Sequence, residues 1–488
     1  MLAETPFADH LERPRGRGHT PAGACTGAAG GAACGDLIRI SLALDPASAD
    51  GAIADAGFDA SGCGAALAAG SATVELIRGR PLLEAARVGA GEIAQALGGL
   101  LPAKRHAAEL AADALHRALG GAVREQAGLA ANGGRTLVAM SGGVDSAVAA
   151  LLTARAGEEV VGVTLELWSD PENDGERSCC SAQAVRGARE LAHQQGFPHL
   201  SIDLRAEFRA GVVDHWLADQ RAGLTPNPCL RCNGNVRLDA MLELADRLGC
   251  ARLVTGHYAR LQEPSDPLLR TARDEGKDQS YVLAALAPAS LARLRFPLGE
   301  MTKPEVREVA ERAGLRVARK PDSQDLCFLA GTGLARFLER HGGVAGEDGA
   351  GSGDIVDRAG RRLGGHDGAQ RFTIGQRRGL RIGGAETLYV LGTDPAARTV
   401  TVGPREALLS DVVAVRDVTL RRPGAGVDGV RVRSHGALHP CRVAADVPAG
   451  RHPALRLELD EPIVRAAPGQ VACLYAGDVI LGHGTVAA

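Results

Sequence analysis

Three groups of residues have types and spacings that can do chemistry. The first is Ser141-Gly142-Gly143-Val144-Asp145-Ser146, between a buried strand-like run (RTLVAM, 135–140) and a helix-like run (AVAALLTARAG) closed by Gly157. Glycines let a backbone approach phosphate oxygens closely, and serine hydroxyls and free N–H groups at a helix start can bind them. The loop lacks the lysine of a GxxxxGK[ST] element, so it is not the phosphate loop of GTPases. The second group is the CxxC pair Cys229 and Cys232, on a Pro/Asn-rich stretch (TPNPCLRCN), with a third thiol, Cys327, in KPDSQDLCF. A CxxC pair can share a metal or cluster, or cycle as a redox couple. Cys250, Cys441 and Cys473 read instead as small buried hydrophobes. The third group is basic: residues 358–381 hold seven Arg against one Asp, and Arg371, Arg377, Arg378 and Arg381 flank the glycines of FTIGQRRGLRIGG. Such a patch holds RNA phosphates or is a solvated face of an Arg-rich chain. With aromatics at 3% of residues, extensive base stacking is not expected.

These groups need elements to position them. Strand-like runs (RTLVAM, EEVVGVTLEL, HLSIDL, ARLVTGHYA) alternate with helix-like ones (181–196, 206–222, 236–249), which predicts a parallel sheet covered on both faces. Ahead of it lie a disordered tail (1–20), a strand (DLIRISLALD, 36–45), helices at 81–97 and 103–119, and a linker-like GLAANGG (128–134). After about residue 345, glycine-rich turns separate TLYVLGTD, TVTVG, VRVRS and LRLELD, which predicts one or two small β-barrels. The chain of 488 residues is too long for one core. No secretory signal or run of 18 apolar residues is present, and eleven cysteines are too sparse for a disulfide scaffold. The expectation is a cytoplasmic protein with no membrane partner. A net charge of −3 speaks against bulk nucleic-acid binding but not against a local basic face.

SGGVDS resembles the PP-loop of the ATP pyrophosphatases, which split ATP between its α and β phosphates and adenylate a substrate oxygen. SGGVDSAV, PNPCLRCN, TGHYAR, KDQSYVL, TKPEVRE, DSQDLCF and FTIGQRRGL occur in this order, and residues 135–488 resemble the bacterial tRNA-specific 2-thiouridylase family. The resemblance implies ATP-dependent 2-thiolation of the wobble uridine of tRNA, with ATP and Mg2+ as cofactors. Ala139, Met140, Ser141, Gly142, Gly143, Val144, Asp145 and Ser146 would line the phosphates, and Leu165 and Gly256 would lie against the adenosine. Cys232 would be the nucleophile and Cys327 the persulfide carrier. His257, Lys277, Asp278, Gln279 and Gln376 would contact tRNA, joined by Arg377 and Arg378. The family often has Asp where this chain has Cys229. That third thiol favours a cluster route, in which Cys229, Cys232 and Cys327 ligate a [4Fe–4S] cluster, over a two-cysteine persulfide route. The sulfur donor would be a cysteine desulfurase, a sulfur relay protein or sulfide. Two alternatives stand beside this: an iron–sulfur assembly protein with an ATPase domain, and another PP-loop ligase.

Residues 27–120 carry Cys34-Gly-Asp36, Ser61-Gly-Cys63-Gly, ELIRGRPLLEA and LGGLLPAKRHAAELAADAL, and resemble the IscU/NifU-type iron–sulfur scaffolds. The resemblance implies a metal or cluster site at Cys34, Asp36, Cys63 and His106. Ala107 stands where the third scaffold cysteine is expected, and Cys25 has the wrong spacing to replace it. The expected architecture is multidomain. An α+β scaffold-like domain (21–125) and a linker (126–134) come first. An α/β PP-loop domain of the adenine nucleotide alpha hydrolase-like type follows (135–340). A small β-rich tRNA-binding domain (341–400) and a C-terminal β-barrel (401–488) complete the chain.

Overall fold

The computed structural model describes all residues except 1–4, 32–34, 170–180, 263–265, 323–325, 330–332, 342–351, 384–386 and 488. It divides into two compact units. One comprises residues 1–205, 239–257 and 293–328, the other residues 206–238, 258–292 and 329–488.

The first unit opens with α1 (Pro6–Glu12), and β1 (Cys25–Gly30), β2 (Leu37–Leu44) and β3 (Ile53–Ser61) form an antiparallel sheet. Helices α2 (Gly64–Ile77), α3 (Leu82–Ala85), α4 (Ala90–Ala96) and α5 (Arg105–Glu125) follow. Residues 6–12 are a helix and not part of a disordered tail. Thr5 caps it by accepting from the Ala8 N–H, Pro6 starts it, and buried His10 meets the Ser71 hydroxyl of α2 at 2.9 Å. A seven-residue helix is marginal alone, so this long-range anchoring is what a tail-like composition could not reveal.

The segment 128–134 is likewise no free linker. The N–H groups of Leu129, Ala130 and Asn132 donate to the carbonyls of Arg247, Ala49 and Gly249, and Asn132 already begins β4 (Asn132–Ala139). Then come α6 (Val144–Arg155), β5 (Glu159–Glu166), α7 (Ala182–Gln194) and β6 (His199–Asp203). With the strands Cys250–Val254 and Leu294–Arg295 they make a five-stranded parallel sheet. Its order is 294–295, 250–254, β4, β5, β6. The chain leaves β4 to one side for β5 and β6, then returns to its other side at residue 250. The switch point therefore falls between β4 and Cys250–Val254, where open α/β sheets bind ligands beyond the carboxyl ends of the strands.

In the second unit, helices Asp214–Arg221 and Pro228–Cys232 belong to the 206–238 segment. A four-stranded mixed sheet (order 362–366, 353–356, 399–403, 389–394) encloses a small core of Ile355, Val390, Val400 and Val402. The last sheet runs 409–420, 450–464, 439–443, 429–431, 471–476, 479–486, and the first strand also pairs with the last. Six strands thus close a barrel around Val415, Val430, Leu457 and Leu474, with the short strands 269–270 and 260–261 added to its rim. Closure leaves no free edge within the ring.

Candidate active site

The nucleotide loop leaves β4 at the switch point. Its backbone is held from below: the Met140 N–H donates to Val163 O at 2.7 Å, and Thr164 Oγ1 donates to Met140 O at 2.8 Å. Gly142 has φ +69°, and a Cβ there would meet the Ala184 carbonyl at 2.9 Å, so both the turn and the close approach of α7 require glycine. Ser146 Oγ accepts from the Ser141 N–H at 3.1 Å and donates to Gly143 O at 3.1 Å, which ties the loop into the first turn of α6. The N–H groups at the start of α6 face the place an anion would take. Ala139, Met140 and Val144 are buried and shape the loop from behind, while Ser141 and Gly143 are partly exposed. Leu165 is buried in β5. Gly256 follows Cys250–Val254, and a Cβ on it would come within 2.8 Å of the Asp145 and Ser146 backbone. Both sides of the switch point therefore pack against the loop.

Two lysines absent from the sequence-based set complete this site. Lys303 Nζ is 2.7 Å from Asp145 Oδ1 and 2.8 Å from Asp322 Oδ1, and Lys320 Nζ donates to Gly142 O at 3.0 Å. Arg307 also pairs with Asp322 at 3.2 Å. The sequence did hold a signal. The chain has 55 Lys and Arg together, and only Lys104, Lys277, Lys303 and Lys320 are lysine. Where arginine serves almost everywhere, a retained lysine marks a place that needs a compact point charge.

Phe328 is buried edge-on to Trp168, at 6.4 Å between ring centroids, and so anchors the neighbouring, partly exposed Cys327 in the first unit. Cys229 and Cys232 share the single turn Pro228–Cys232 of the second unit, capped by Asn227, whose side chain accepts from the Cys229 N–H at 3.0 Å. Cys232 is buried; Cys229 is half-buried, and burial pushes its thiol above the ordinary range. Cys250, Cys441 and Cys473 are interior, and burial raises the first two to about 12. They are packing residues.

The predicted RNA contacts divide. Asp278 is buried in the second unit and accepts from the Ala272 and Ser280 N–H groups, the Ser280 hydroxyl and Arg431 Nη1. Its carboxylate is thus engaged within the protein by four hydrogen bonds. His257 is also buried, with Nδ1 2.7 Å from Thr255 Oγ1 and its ring edge-on to Phe296. Gln279 exchanges two hydrogen bonds with the Tyr258 backbone and stays half-buried, as does Lys277. Gln376 closes its own turn, accepting from the Thr373 N–H and donating to Arg378 O, while Gly375 and Gln376 pair with Val390. That turn presents Arg377 and Arg378 to solvent, with Arg381 beside them. Arg361, Arg362 and Arg371 are neutralised by Asp357, Asp354 and Glu339. Among the described residues, the uncompensated charge of the patch lies at Arg358, Arg377, Arg378 and Arg381.

In the front domain, the ligand atoms of Asp36, Cys63 and His106 lie within 4.8 Å of one another. The Cys63 N–H and S–H donate to Asp36 at 2.8 and 3.1 Å, and His106 Nε2 is 3.0 Å from Asp36 Oδ2. Against the burial of Asp36, these hydrogen bonds hold its carboxyl below the usual range. Cys34 lies outside the described residues. Ala107 is buried in α5 and offers no ligand. Cys25 bonds Glu125 at 3.5 Å, at the far end of α5 from His106. Nineteen helical residues separate those ends by roughly 28 Å, so Cys25 does not replace the missing thiol. One thiolate, one carboxylate and one imidazole suit a single borderline ion such as zinc or ferrous iron. They do not supply the three-thiolate set of a cluster scaffold.

Comparison with known families agrees with this layout. Residues 4–126 match the NifU-like N terminal domain and residues 134–331 the tRNA methyl transferase HUP domain. Residues 336–404 match the tRNA methyl transferase PRC-barrel domain and residues 424–486 the aminomethyltransferase beta-barrel domain. The class is thus a nucleotide-loop HUP protein with a fused NifU-like domain. The Bifunctional protein NifU/MnmA of Rubrobacter xylanophilus is 43% identical over 98% of this chain and 97% of its own length. The chain belongs to that bifunctional NifU/MnmA family. The tRNA-specific 2-thiouridylases MnmA of Geobacter metallireducens (43%; 72% of this chain, 96% of theirs) and Salinispora tropica (44%; 73% and 99%) align with it as well.

Proposed function

We propose that the protein is a tRNA-uridine 2-sulfurtransferase that uses ATP to activate the wobble uridine and cysteine sulfur to replace its O2. The observation that carries this reading is the nucleotide loop at the sheet's switch point, in a chain related end to end to a NifU/MnmA protein. The loop and the N-terminus of α6 hold the ATP phosphates. Lys303 and Lys320 place positive charge at the loop, where it offsets the negative charge of the leaving pyrophosphate. Uridine O2 attacks the α phosphate, pyrophosphate leaves, and O2 becomes part of a good leaving group, AMP. A sulfur nucleophile adds at C2, the C2–O bond breaks, and AMP departs with the oxygen. When the sulfur is the outer atom of a Cys327 persulfide, the Cys232 thiolate then attacks the inner sulfur. A Cys232–Cys327 disulfide forms, the S–S bond to the transferred atom breaks, and both electrons stay with the thiouridine sulfur.

Cys229 adds a third thiol one helical turn from Cys232. That spacing fits two corners of a [4Fe–4S] cluster, with Cys327 as a third ligand and an open iron able to hold hydrosulfide. Methyl transfer, the activity named in the matching families, is not favoured, since transfer of an activated methyl group has no use for adenylation. The exposed Arg377, Arg378 and Arg381 receive tRNA phosphates. The reading implies Mg2+ on the phosphates and a cytoplasmic site of action. Its sulfur comes from a desulfurase, a relay protein or sulfide.

The test is anaerobic incubation with ATP, unmodified tRNA and a sulfur source, sulfide for the cluster route or a cysteine desulfurase with cysteine for the persulfide route. AMP, pyrophosphate and 2-thiouridine in equal amounts are expected. ADP as the nucleotide product, or AMP without thiolated tRNA, would overturn the reading.

A second reading concerns the front domain, where the convergence of Asp36, Cys63 and His106 favours binding of one metal ion. Cys63→Ser should remove about one equivalent of bound zinc or iron, and Cys25→Ser should not.

A further inference from the structure

The front domain does more than sit ahead of the nucleotide domain in sequence. Strand β6 is the edge of the parallel sheet, and front-domain residues cover it. The His199 N–H donates to Ala86 O at 3.1 Å, and His116 of α5 stands between two carbonyls, its Nδ1 2.8 Å from His199 O and its Nε2 3.0 Å from Val88 O; a neutral ring donates to only one of them, and the shorter distance assigns its proton to Nδ1 and His199 O. Both backbone groups of His199 are therefore held by the front domain. Gly120 lies so close to β6 that a Cβ there would stand 2.0 Å from Ser201 O. Around this seam Asp113 pairs with Arg186 at 2.6 Å and with buried Arg189 at 2.7 Å, and Arg117 meets buried Glu166 at 3.3 Å.

The His199 side chain reaches toward the root of the nucleotide loop. Its Nε2 is 2.8 Å from Thr164 Oγ1, and Thr164 Oγ1 is 2.8 Å from Met140 O, the carbonyl at the root of the nucleotide loop. The direction of these bonds follows from proton counting. A carbonyl only accepts, so the single Thr164 hydroxyl proton goes to Met140. The hydroxyl oxygen must then accept from His199 Nε2–H. His116, His199, Thr164 and Met140 are all almost fully buried, so water does not compete for these hydrogen bonds.

We propose that the front domain positions the nucleotide loop: it clamps His199 by its backbone, and His199 through Thr164 fixes the Met140 carbonyl from which the loop departs. His116, His199 and Thr164 are positioning residues, since none of them touches the nucleotide itself. The proposal rests on the ATP reading above, but its test does not depend on sulfur transfer.

The measurement is equilibrium binding of a non-hydrolysable ATP analogue with an α,β-methylene bridge, together with KM for ATP and kcat for AMP release on tRNA. Thr164→Val removes the hydroxyl at nearly constant volume. It should weaken analogue binding and raise the ATP KM about ten-fold, the scale of one buried hydrogen bond, with a smaller change in kcat. Thr164→Ser should restore binding to within about two-fold of wild type. His116→Phe should weaken binding, and His116→Asn, which keeps an N–H donor near the Nδ1 position, should recover most of it. The double variant His116→Phe/Thr164→Val should be little worse than Thr164→Val alone, because both interrupt one chain of hydrogen bonds. Variants that lose thermal stability but bind the analogue like wild type would overturn the proposal, as would fully additive effects. Wild-type protein that binds the analogue in this pattern but transfers no sulfur would overturn the thiolation reading and support the positioning role.

Discussion

Replacing Lys303 by methionine keeps the bulk of the side chain and deletes its charge. Lys303 is 9% exposed and bridges Asp145 and Asp322, whose side chains are 32% and 23% exposed. Without the ammonium, two carboxylate oxygens remain within about 5.5 Å of each other, the sum of the two N–O distances. At an effective dielectric of about 20 that repulsion is about 3 kcal/mol. Both carboxylates are partly exposed, so solvent screening brings the expected loss to about 2 kcal/mol. For a unit of this size that is a fall of about 4–8 °C in Tm. Differential scanning fluorimetry of the full chain reads it directly. The double variant Lys303→Met/Asp145→Asn removes one of the opposed charges and should regain at least half of the lost Tm. AMP release should stay low in both variants, because the loop has lost one of its two cations. A Lys303→Met protein that melts within about 1 °C of wild type would show that the bridge carries no stability. A double variant no more stable than the single would show that repulsion is not the source of the loss.

The fully buried His116 and His199 titrate well below the usual histidine range, through burial first and the nearby Arg189 charge next. The unfolded chain takes up their protons below about pH 6.5 and the native chain does not. Stability should therefore fall on acidification by about 1.4 kcal/mol per pH unit for each histidine, and the slope of urea midpoints against pH should be shallower in His116→Phe by one histidine's share. Charge reversal at Arg377 and Arg378 should weaken tRNA binding and reduce its dependence on salt, by about one unit of slope for each phosphate no longer engaged; unchanged affinity and slope would make the patch a solvated face. Deleting residues 1–125 should give an insoluble or strongly destabilised protein, because it strips the cover from β6 and removes the Asp113 ion pairs to Arg186 and Arg189. A soluble truncation with wild-type Tm would refute the seam. Asp145→Ala should abolish AMP release in a folded protein, as followed by chromatography of nucleotide products.

Local pattern carried much of the site. The nucleotide loop, its flanking strand and helix, and the CxxC turn were legible because each depends on neighbours in sequence: glycine where φ is positive, an Asn cap before Pro228, apolar runs of strand length. What escaped depended on distant partners. Thr5–Glu12 reads as a polar tail, yet it folds because His10 reaches Ser71. GLAANGG has the composition of a spacer, yet its N–H groups are claimed by residues 49, 247 and 249. Asp278 and His257 look like exposed polar groups in sequence and are interior, since Arg431 and Phe296 pack against them from elsewhere in the chain. Lys303 and Lys320 lie more than 150 residues from the loop they serve. Only their rarity marked them.

The interleaving of the two units bears on how the chain is made. Synthesis delivers residues 1–205 of the first unit, then 206–238 of the second, and continues to alternate until residue 328. The strand 250–254, which lies against β4, emerges over a hundred residues after it. Until then β4 leaves the ribosome with one flank unpaired, although β5 and β6 can already join its other side. The barrel cannot close before strand 479–486 arrives to meet 409–420, near the end of translation. Each unit must thus be held open while segments of the other pass through the exit tunnel. A nascent chain of this protein is a long-lived client for chaperones that mask unpaired strands, and rare codons or pauses after residue 295 would allow the five-stranded sheet to finish before the barrel segments compete for it.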